Sequence, residues 1–377
     1  MLEYSYAHGA LPAAPRVSVK PMLNSARGTS ARLALWVRRR TATLAVLVIL
    51  ADSQVFDSNG PGIVVDHVPR EFSHRTGDIT ANISGRLLSP VSEIRYRVNS
   101  DQWHVARQEG PRVHKPLFCI EMAPHELHGG RNTIQITALS RFSGRTTVSR
   151  DFNYNPAPVR LPLEATWSNS RDLDVESGIW ETIAGENGLR LRPKPGFEDY
   201  DRIVVAAGAF AGGRRVITDV VFRSSKNDKQ AYGFGILPLW GGRPDDKDYS
   251  PRRGWNFSIA WYYSHYEGVG EEFSFKKGSD EPRWISSYRN LELQPGVRYR
   301  IVAEAREVLD ENGRHSRYHQ RMQWRKESDG DVPWIELSDD EGVQIPPGEY
   351  AVALVAHRCQ VEFGPLRVEP LPPEIQE

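Results

Sequence analysis

The chain has 377 residues, in which Lys+Arg 48 balances Asp+Glu 48, so no global field draws it to nucleic acid or to an anionic membrane. Gly 31 and Pro 26 are more than a helical protein tolerates, and 39% hydrophobic content is that of a globular protein rich in strands, turns and polar edges. The two cysteines, Cys119 and Cys359, each sit in an apolar run without CxxC spacing, which makes them buried thiols rather than metal or redox centres.

Residues 1–32 form an irregular extension rich in Ala, Ser, Pro, Gly and Arg. Residues 33–54 follow, in which Arg38–Arg40 precede the apolar run Ala42–Ala51, the layout of a basic and a hydrophobic region of an export signal. The run is half of the roughly 20 residues a membrane span needs, so a cleaved signal or crude anchor is expected, not a stable transmembrane span. The expected location is therefore secreted or cell-envelope associated.

From 60 to 156 short alternating segments (Ile63–Val65, Asp78–Ser84, Ser92–Val98, Leu117–Glu121, Asn132–Ser140, Thr146–Tyr154) are punctuated by turn residues such as Asn99-Ser100-Asp101 and His128-Gly129-Gly130. Tyr96, Asn99 and Trp103, then Phe118 and Ile120, then Leu127, Gly130, Asn132, Ile134, Ile136 and Ala138 form a spaced pattern. That pattern resembles bacterial Ig-like and fibronectin-III-like surface modules, and the resemblance implies a β-sandwich acting as spacer or docking platform. Residues 157–162 form a Pro-punctuated linker, too short for the flanking modules to wander apart.

The stretch 163–372 carries more than ten further strand patterns, enough for one sandwich of two large antiparallel sheets. Its centre is AYGFGILPLWGG, a polar loop, then PRRGWNFSIAWYYSHY. Period-two reading puts Tyr232, Phe234, Ile236, Pro238 and Trp240 on one face, with Gly233, Gly235, Leu237 and Leu239 on the other. In the second segment Trp255, Phe257, Ile259, Trp261, Tyr263 and His265 share a face. Both faces being partly apolar predicts a central strand pair, joined by the loop Gly241–Gly254. These segments, with FEDYDRIVVA, TDVVFR, GVRYRIVAEARE and GEYAVALVAHRCQVEFGPLRVEPL, resemble the concanavalin A-like lectin/glucanase jelly roll and LamG-like bacterial proteins. The whole chain is thus read as all-β: an Ig-like sandwich followed by a larger jelly roll. The Glu-x-Asp-x-(x)-Glu strand of the glucanase relatives has no match; Glu336–Glu341 has the wrong spacing and reads as a solvated turn.

Sugars stack their CH faces on aromatic rings and hydrogen-bond their hydroxyls to Arg, Asn and carboxylates. Trp240, Arg252, Trp255, Trp261, Tyr263 and Trp284 are the expected carbohydrate-binding residues, on a concave sheet, beside the loop charges Arg243, Asp245, Asp246, Asp248 and Arg253. The expected partner is a glycan or glycosylated surface, and the expected protein is a non-catalytic binder. One rival is a glycan-cleaving enzyme pairing Glu272 with a loop aspartate, assisted by His265 or Tyr263. The other is a structural surface protein without a ligand site. No cofactor is expected, apart from a rim calcium on Asp245, Asp246 and Asp248. Gly208–Arg215 lacks the Gly-Lys-Ser/Thr of a phosphate loop, so Gly212-Gly213 reads as a hairpin turn. Nucleic acid is not expected as a partner because no basic face is evident.

Overall fold

Strand-forming alternation in the first third produces eight strands: β1 (Ile63–His67), β2 (Glu71–Phe72), β3 (Ala81–Leu87), β4 (Glu93–Val98), β5 (His104–Ala106), β6 (Leu117–Met122), β7 (Gly130–Ser140) and β8 (Gly144–Tyr154). The computed structural model describes residues 60–74, 79–106, 117–141, 144–157, 159–226, 230–243, 255–265, 268–276, 283–287, 293–326, 329, 334–337 and 345–375. The sheets are ordered β1-β3-β6 and β2-β8-β7-β4-β5, and their inner faces enclose a core that includes Ile83, Ile94, Phe118, Ile134, Ile136 and Phe152. The Asn motif seen in the sequence is a turn lock. Buried Asn132 donates to the carbonyls of His128 and Gly130 and accepts the His128 N–H, while Asn99, at φ 53°, accepts the Thr133 N–H.

The rest of the chain gives β9 (Leu163–Ala165), β10 (Asp174–Val175), β11 (Trp180–Gly185), β12 (Gly188–Pro193), β13 (Arg202–Phe210), β14 (Gly213–Ser225), β15 (Tyr232–Trp240) and β16 (Phe257–His265). There follow β17 (Gly268–Lys276), β18 (Arg283–Ser287), β19 (Arg298–Leu309), β20 (His315–Lys326), β21 (Ile335–Leu337), β22 (Tyr350–His357), β23 (Cys359–Leu371) and β24 (Glu374–Ile375). They build a seven-stranded sheet, β10-β13-β22-β15-β16-β17-β18, and a larger sheet running β11-β12-β23-β14-β19-β20-β21. The main core lies between them, with Phe234, Ile236, Tyr262 and Leu354 facing Val216, Phe222, Ile301, Trp324 and Phe363. Helical structure among the described residues is confined to two 3-10 turns, and none is long and apolar enough to cross a membrane. Cys119 and Cys359 are both buried and neither forms a disulfide; burial pushes both thiols up.

Three local expectations need correction. Gly212-Gly213 makes no hairpin, because β13 and β14 belong to different sheets. The turn is a crossover, with Gly212 at φ 78°, and fully buried Arg214 closes it by donating to the carbonyls of Phe210, Gly212 and Tyr350. Burial lowers that guanidinium to about 10, still protonated at neutral pH. Secondly, Ile335–Leu337 is a strand paired to β20, so Glu336 does not begin a turn. Thirdly, alternation breaks in β15: its register with β16 shifts between Ile236 and Leu239, around Pro238, which has no N–H for the ladder. Trp240 therefore shares a cluster with Leu237, on the sheet face opposite Phe234 and Ile236.

That opposite face of the seven-stranded sheet is also apolar. Ile203, Val205, Leu237, Ile259, Ala353 and Val355 form a second layer with Trp240, Trp255 and Trp261, and Ile79 from the first third packs into it. Polar contacts close the joint between the two sandwiches, which belong to one compact unit, Phe56–Glu377. Asn82 donates to Glu176 Oε1 at 2.7 Å and Arg243 to Glu176 Oε2 at 3.3 Å, all three being buried. His74 Nε2 meets Asp174 Oδ2 at 2.7 Å. His67 uses both ring nitrogens: Nε2 accepts the Trp180 N–H at 3.1 Å, so Nδ1 carries the proton and donates to Ser170 O at 2.7 Å.

Only neutral imidazole fits that position. Burial, reinforced by Arg86 and Lys194 and opposed by the Ser170 bond and Asp66, lowers His67 from 6.5 to about 4. The unfolded chain binds a proton between those values and the folded chain does not, so stability falls as pH drops from about 6.5 to about 4 and levels off below. The expected loss is about 3 kcal/mol. His67→Gln keeps one donor and one acceptor; urea unfolding across this range is expected to show the acid slope in the parent and a slope flattened by that amount in the variant.

Candidate functional site

The structure keeps four of the six residues expected to hold sugar, Trp240, Trp255, Trp261 and Tyr263, in one cluster. Trp240, Trp255 and Trp261 are at most 5% exposed and fill the second apolar layer. Tyr263 is half-buried at its margin, and Trp284 lies in β18, two strands from β16. Arg252 lies outside the described residues, as do Asp245, Asp246, Asp248 and Arg253, the expected calcium loop. Arg243 is buried on Glu176 at the joint, where no sugar reaches it. Among the described residues no group of three or more His, Cys, Asp or Glu is placed to hold a metal ion.

Two glycines explain how the aromatic rings lie. Gly233 pairs with Tyr263 and Gly235 with Trp261 across the β15–β16 ladder. A Cβ on Gly233 would enter the Tyr263 ring, and one on Gly235 would run into the Ala260 carbonyl and the Trp261 backbone. The missing side chains let the two rings lie over the strand, stacked with centroids 4.4 Å apart and planes at 21°.

At the end of this stack the chain makes two tight turns. Arg358 alone connects β22 of one sheet to β23 of the other, and its φ of 52° supplies the reversal. Asp201, at φ 42°, precedes β13 on the neighbouring strand. Backbone bonds tie the turns together: the Arg358 N–H donates to Asp199 O at 3.0 Å, and the Lys226 N–H to Arg358 O at 2.7 Å. Beneath them buried His357 donates from Nδ1 to Asp201 Oδ1 at 2.8 Å. The Asp201 carbonyl accepts from Ser177 Oγ at 2.6 Å, and Ser177 Oγ accepts the Ile203 N–H.

Tyr200 rides on this frame, 51% exposed. Its ring meets His357 edge-on at 4.8 Å, and the Arg358 guanidinium lies 5.3 Å from its centroid. His357 in turn touches Tyr263 at 5.8 Å and Trp261 at 6.3 Å, so one aromatic column runs from the buried indole to the exposed phenol. Charged groups rim it. Burial opposes ionisation of Asp199, but Arg202, Lys226 and the Tyr200 N–H outweigh it and hold the carboxyl below its ordinary range. The arrangement offers a sugar an exposed ring face, a guanidinium and a carboxylate. Among the described residues His357 Nε2 has no hydrogen-bond partner, and it is sealed from solvent, so it holds the column rather than exchanging protons with a ligand.

Sequence reading named Trp261 and Tyr263 but missed Tyr200, His357 and Arg358. The available signal was the pair of turn strings EDYDR and AHRC, each with a charged residue where the chain must reverse. No protein-family profile matches this chain, and no curated protein matches it. Among solved structures, the carbohydrate-binding module CBM66 from Bacillus subtilis is 13% identical, covering 52% of this chain and 94% of its own, with TM-score 0.31. A legume lectin-like domain from Entamoeba histolytica is 10% identical over 51% of this chain and 90% of its own, TM-score 0.30. A structure of carbohydrate-binding modules from the β-sandwich superfamily is 7% identical over 83% and 97%, TM-score 0.19.

Gly235→Ala forces Trp261 off β15 and is expected to destabilise the fold by about 2–3 kcal/mol, as overpacking does. Thermal unfolding monitored by near-UV circular dichroism checks this; a variant as stable as the parent would show that the close approach is relieved at no cost.

Proposed function

We propose that this chain is a non-catalytic, extracytoplasmic carbohydrate-binding protein that grips a glycan or glycosylated surface at the Tyr200 rim. In this reading residues 60–156 are an Ig-like spacer and 163–372 a concanavalin A-like, LamG-like jelly roll. The sheet orders β1-β3-β6 and β2-β8-β7-β4-β5 support the first assignment, and the paired seven-stranded and larger sheets the second.

Tyr200 carries the reading. Its ring is 51% exposed yet held in place by two left-handed turns, a buried Asp–His pair and a cation. A ring pre-set in this way loses little freedom when a sugar stacks on it. The buried tryptophans keep the expected sheet but change their role from floor of a trough to support of the column. The rival reading of glycan cleavage finds a carboxylate-oriented imidazole in Asp201–His357. Its outward nitrogen is closed off, which favours binding. Export remains a proposal from residues 33–54, which lie outside the described residues.

The test is a glycan array probed with the full chain. Tyr200→Ala, at an exposed position, is expected to fold normally and to weaken the leading glycan about three- to tenfold, the range of an aromatic stacking contact. Trp240→Phe, altering a buried ring, is expected to bind as the parent does. Undiminished binding by Tyr200→Ala rejects the rim, and an absence of binding to any glycan rejects the class.

A further inference from the structure

The two sandwiches are stitched together along a short seam. The Val68 N–H donates to Arg171 O at 2.8 Å, Arg70 pairs with Asp172, and His74 Nε2 meets Asp174 Oδ2 at 2.7 Å. Where this seam meets β13 the packing leaves a cavity of ≈ 250 Å³. That is many times what one water molecule requires, and just under the roughly 300 Å³ at which small-molecule sites begin. Trp167, Leu173 and Val205 form its buried lining with the His74–Asp174 pair, and the exposed Glu71 and Ser168 mark its mouth.

The walls are fixed by bonds of their own. Trp167, at φ 56°, is pinned by its indole N–H on the Gly364 carbonyl at 2.7 Å. Asn169 accepts the Arg171 N–H at 3.0 Å, and its amide donates to Asp172 Oδ2 at 3.1 Å. On β13 a Cβ at Gly208 would run into Ser73 Oγ, so the glycine lets that hydroxyl lie against the strand. Asp174 is 9% exposed; one of its oxygens answers His74, and among the described residues the other, Oδ1, has no hydrogen-bond partner. A buried carboxylate oxygen is costly without a donor, which a ligand in this cavity can supply.

We propose that this cavity binds a single neutral sugar ring, with Asp174 accepting from its hydroxyls and Ser73 and Ser168 completing the hydrogen bonds. A hydroxyl donates to a carboxylate oxygen without bringing charge, and accepts in turn from a serine. His74 already stands against the Asp174 carboxylate and Arg70 against Asp172, so a neutral donor suits the site better than an ammonium. Trp167, Leu173 and Val205 offer an apolar floor to the CH groups of the ring, and the volume admits one ring rather than a chain. None of these residues belongs to the Tyr200 rim.

The experiment titrates the full chain with the methyl glycosides of glucose, galactose and mannose, and with methylammonium, by ligand-observed NMR. Expected is binding of at least one glycoside with a Kd of about 1 mM, the scale for a ligand this small. Asp174→Asn keeps the shape but puts a donor where an acceptor stood, and is expected to weaken that binding at least about tenfold. Gly208→Ala, which turns the Ser73 hydroxyl aside, is expected to weaken it severalfold, and Tyr200→Ala to bind as the parent does. Should Asp174→Asn or Gly208→Ala melt early, the exposed Ser168→Ala is expected to weaken binding severalfold with the melting temperature kept. Binding of none of the three glycosides overturns the proposal, as do undiminished binding by the variants that fold and tighter binding of methylammonium. Loss of glycoside binding in Tyr200→Ala alone also overturns it, since the sugar would then sit at the rim.

Discussion

A sheet that is apolar on both sides must be covered twice. The seven-stranded sheet is such a sheet: β22 is buried along its whole length, Tyr350–His357. The larger sheet covers one face; on the other, Trp240 and Trp261 of the sheet itself form a layer with Trp255, into which Ile79 from the first sandwich packs. Burial of such large side chains is worth about 2–3 kcal/mol each, so these indoles stay inside. In the proposed reading, ligand chemistry is thereby displaced to where the second layer ends, the rim at Tyr200.

The same constraint accounts for the joint. Covering the second face brings polar groups of both sandwiches out of water, and most of them are answered: Glu176 by Asn82 and Arg243, and His67 by Trp180 and Ser170. Buried ion pairs of this kind add little net stability but penalise any other docking of the parts. Among the described residues His74 Nδ1 and Asp174 Oδ1 have no hydrogen-bond partner. A fixed joint also holds the Asp201 turn, since Ser177 and Glu176 belong to the segment clamped by the first sandwich.

Much of the fold was legible because strands record their period in the side chains. The all-β class, most strand positions and the β15–β16 pairing follow from alternation and turn residues. Sheet membership was not legible, because Gly212-Gly213 looks the same whether the chain returns to its own sheet or crosses to the other. Trp240 was assigned to the wrong face because one proline at a bulge inverts the pattern beyond it. The site was legible only at its buried end: aromatic density pointed to Trp261 and Tyr263, whereas Tyr200 depends on two turns that meet only in the fold.

In the proposed reading the aromatic column places recognition at the rim of a sandwich whose tryptophans serve the core. Hydroxyl-radical footprinting of the full chain, free and with its bound glycan, tests this most directly. The account predicts that Tyr200 is oxidised in the free protein and protected in the complex, while Trp240 and Trp261 stay unreactive in both. Oxidation of Trp240 or Trp261 in the free protein, with protection on binding, would contradict it.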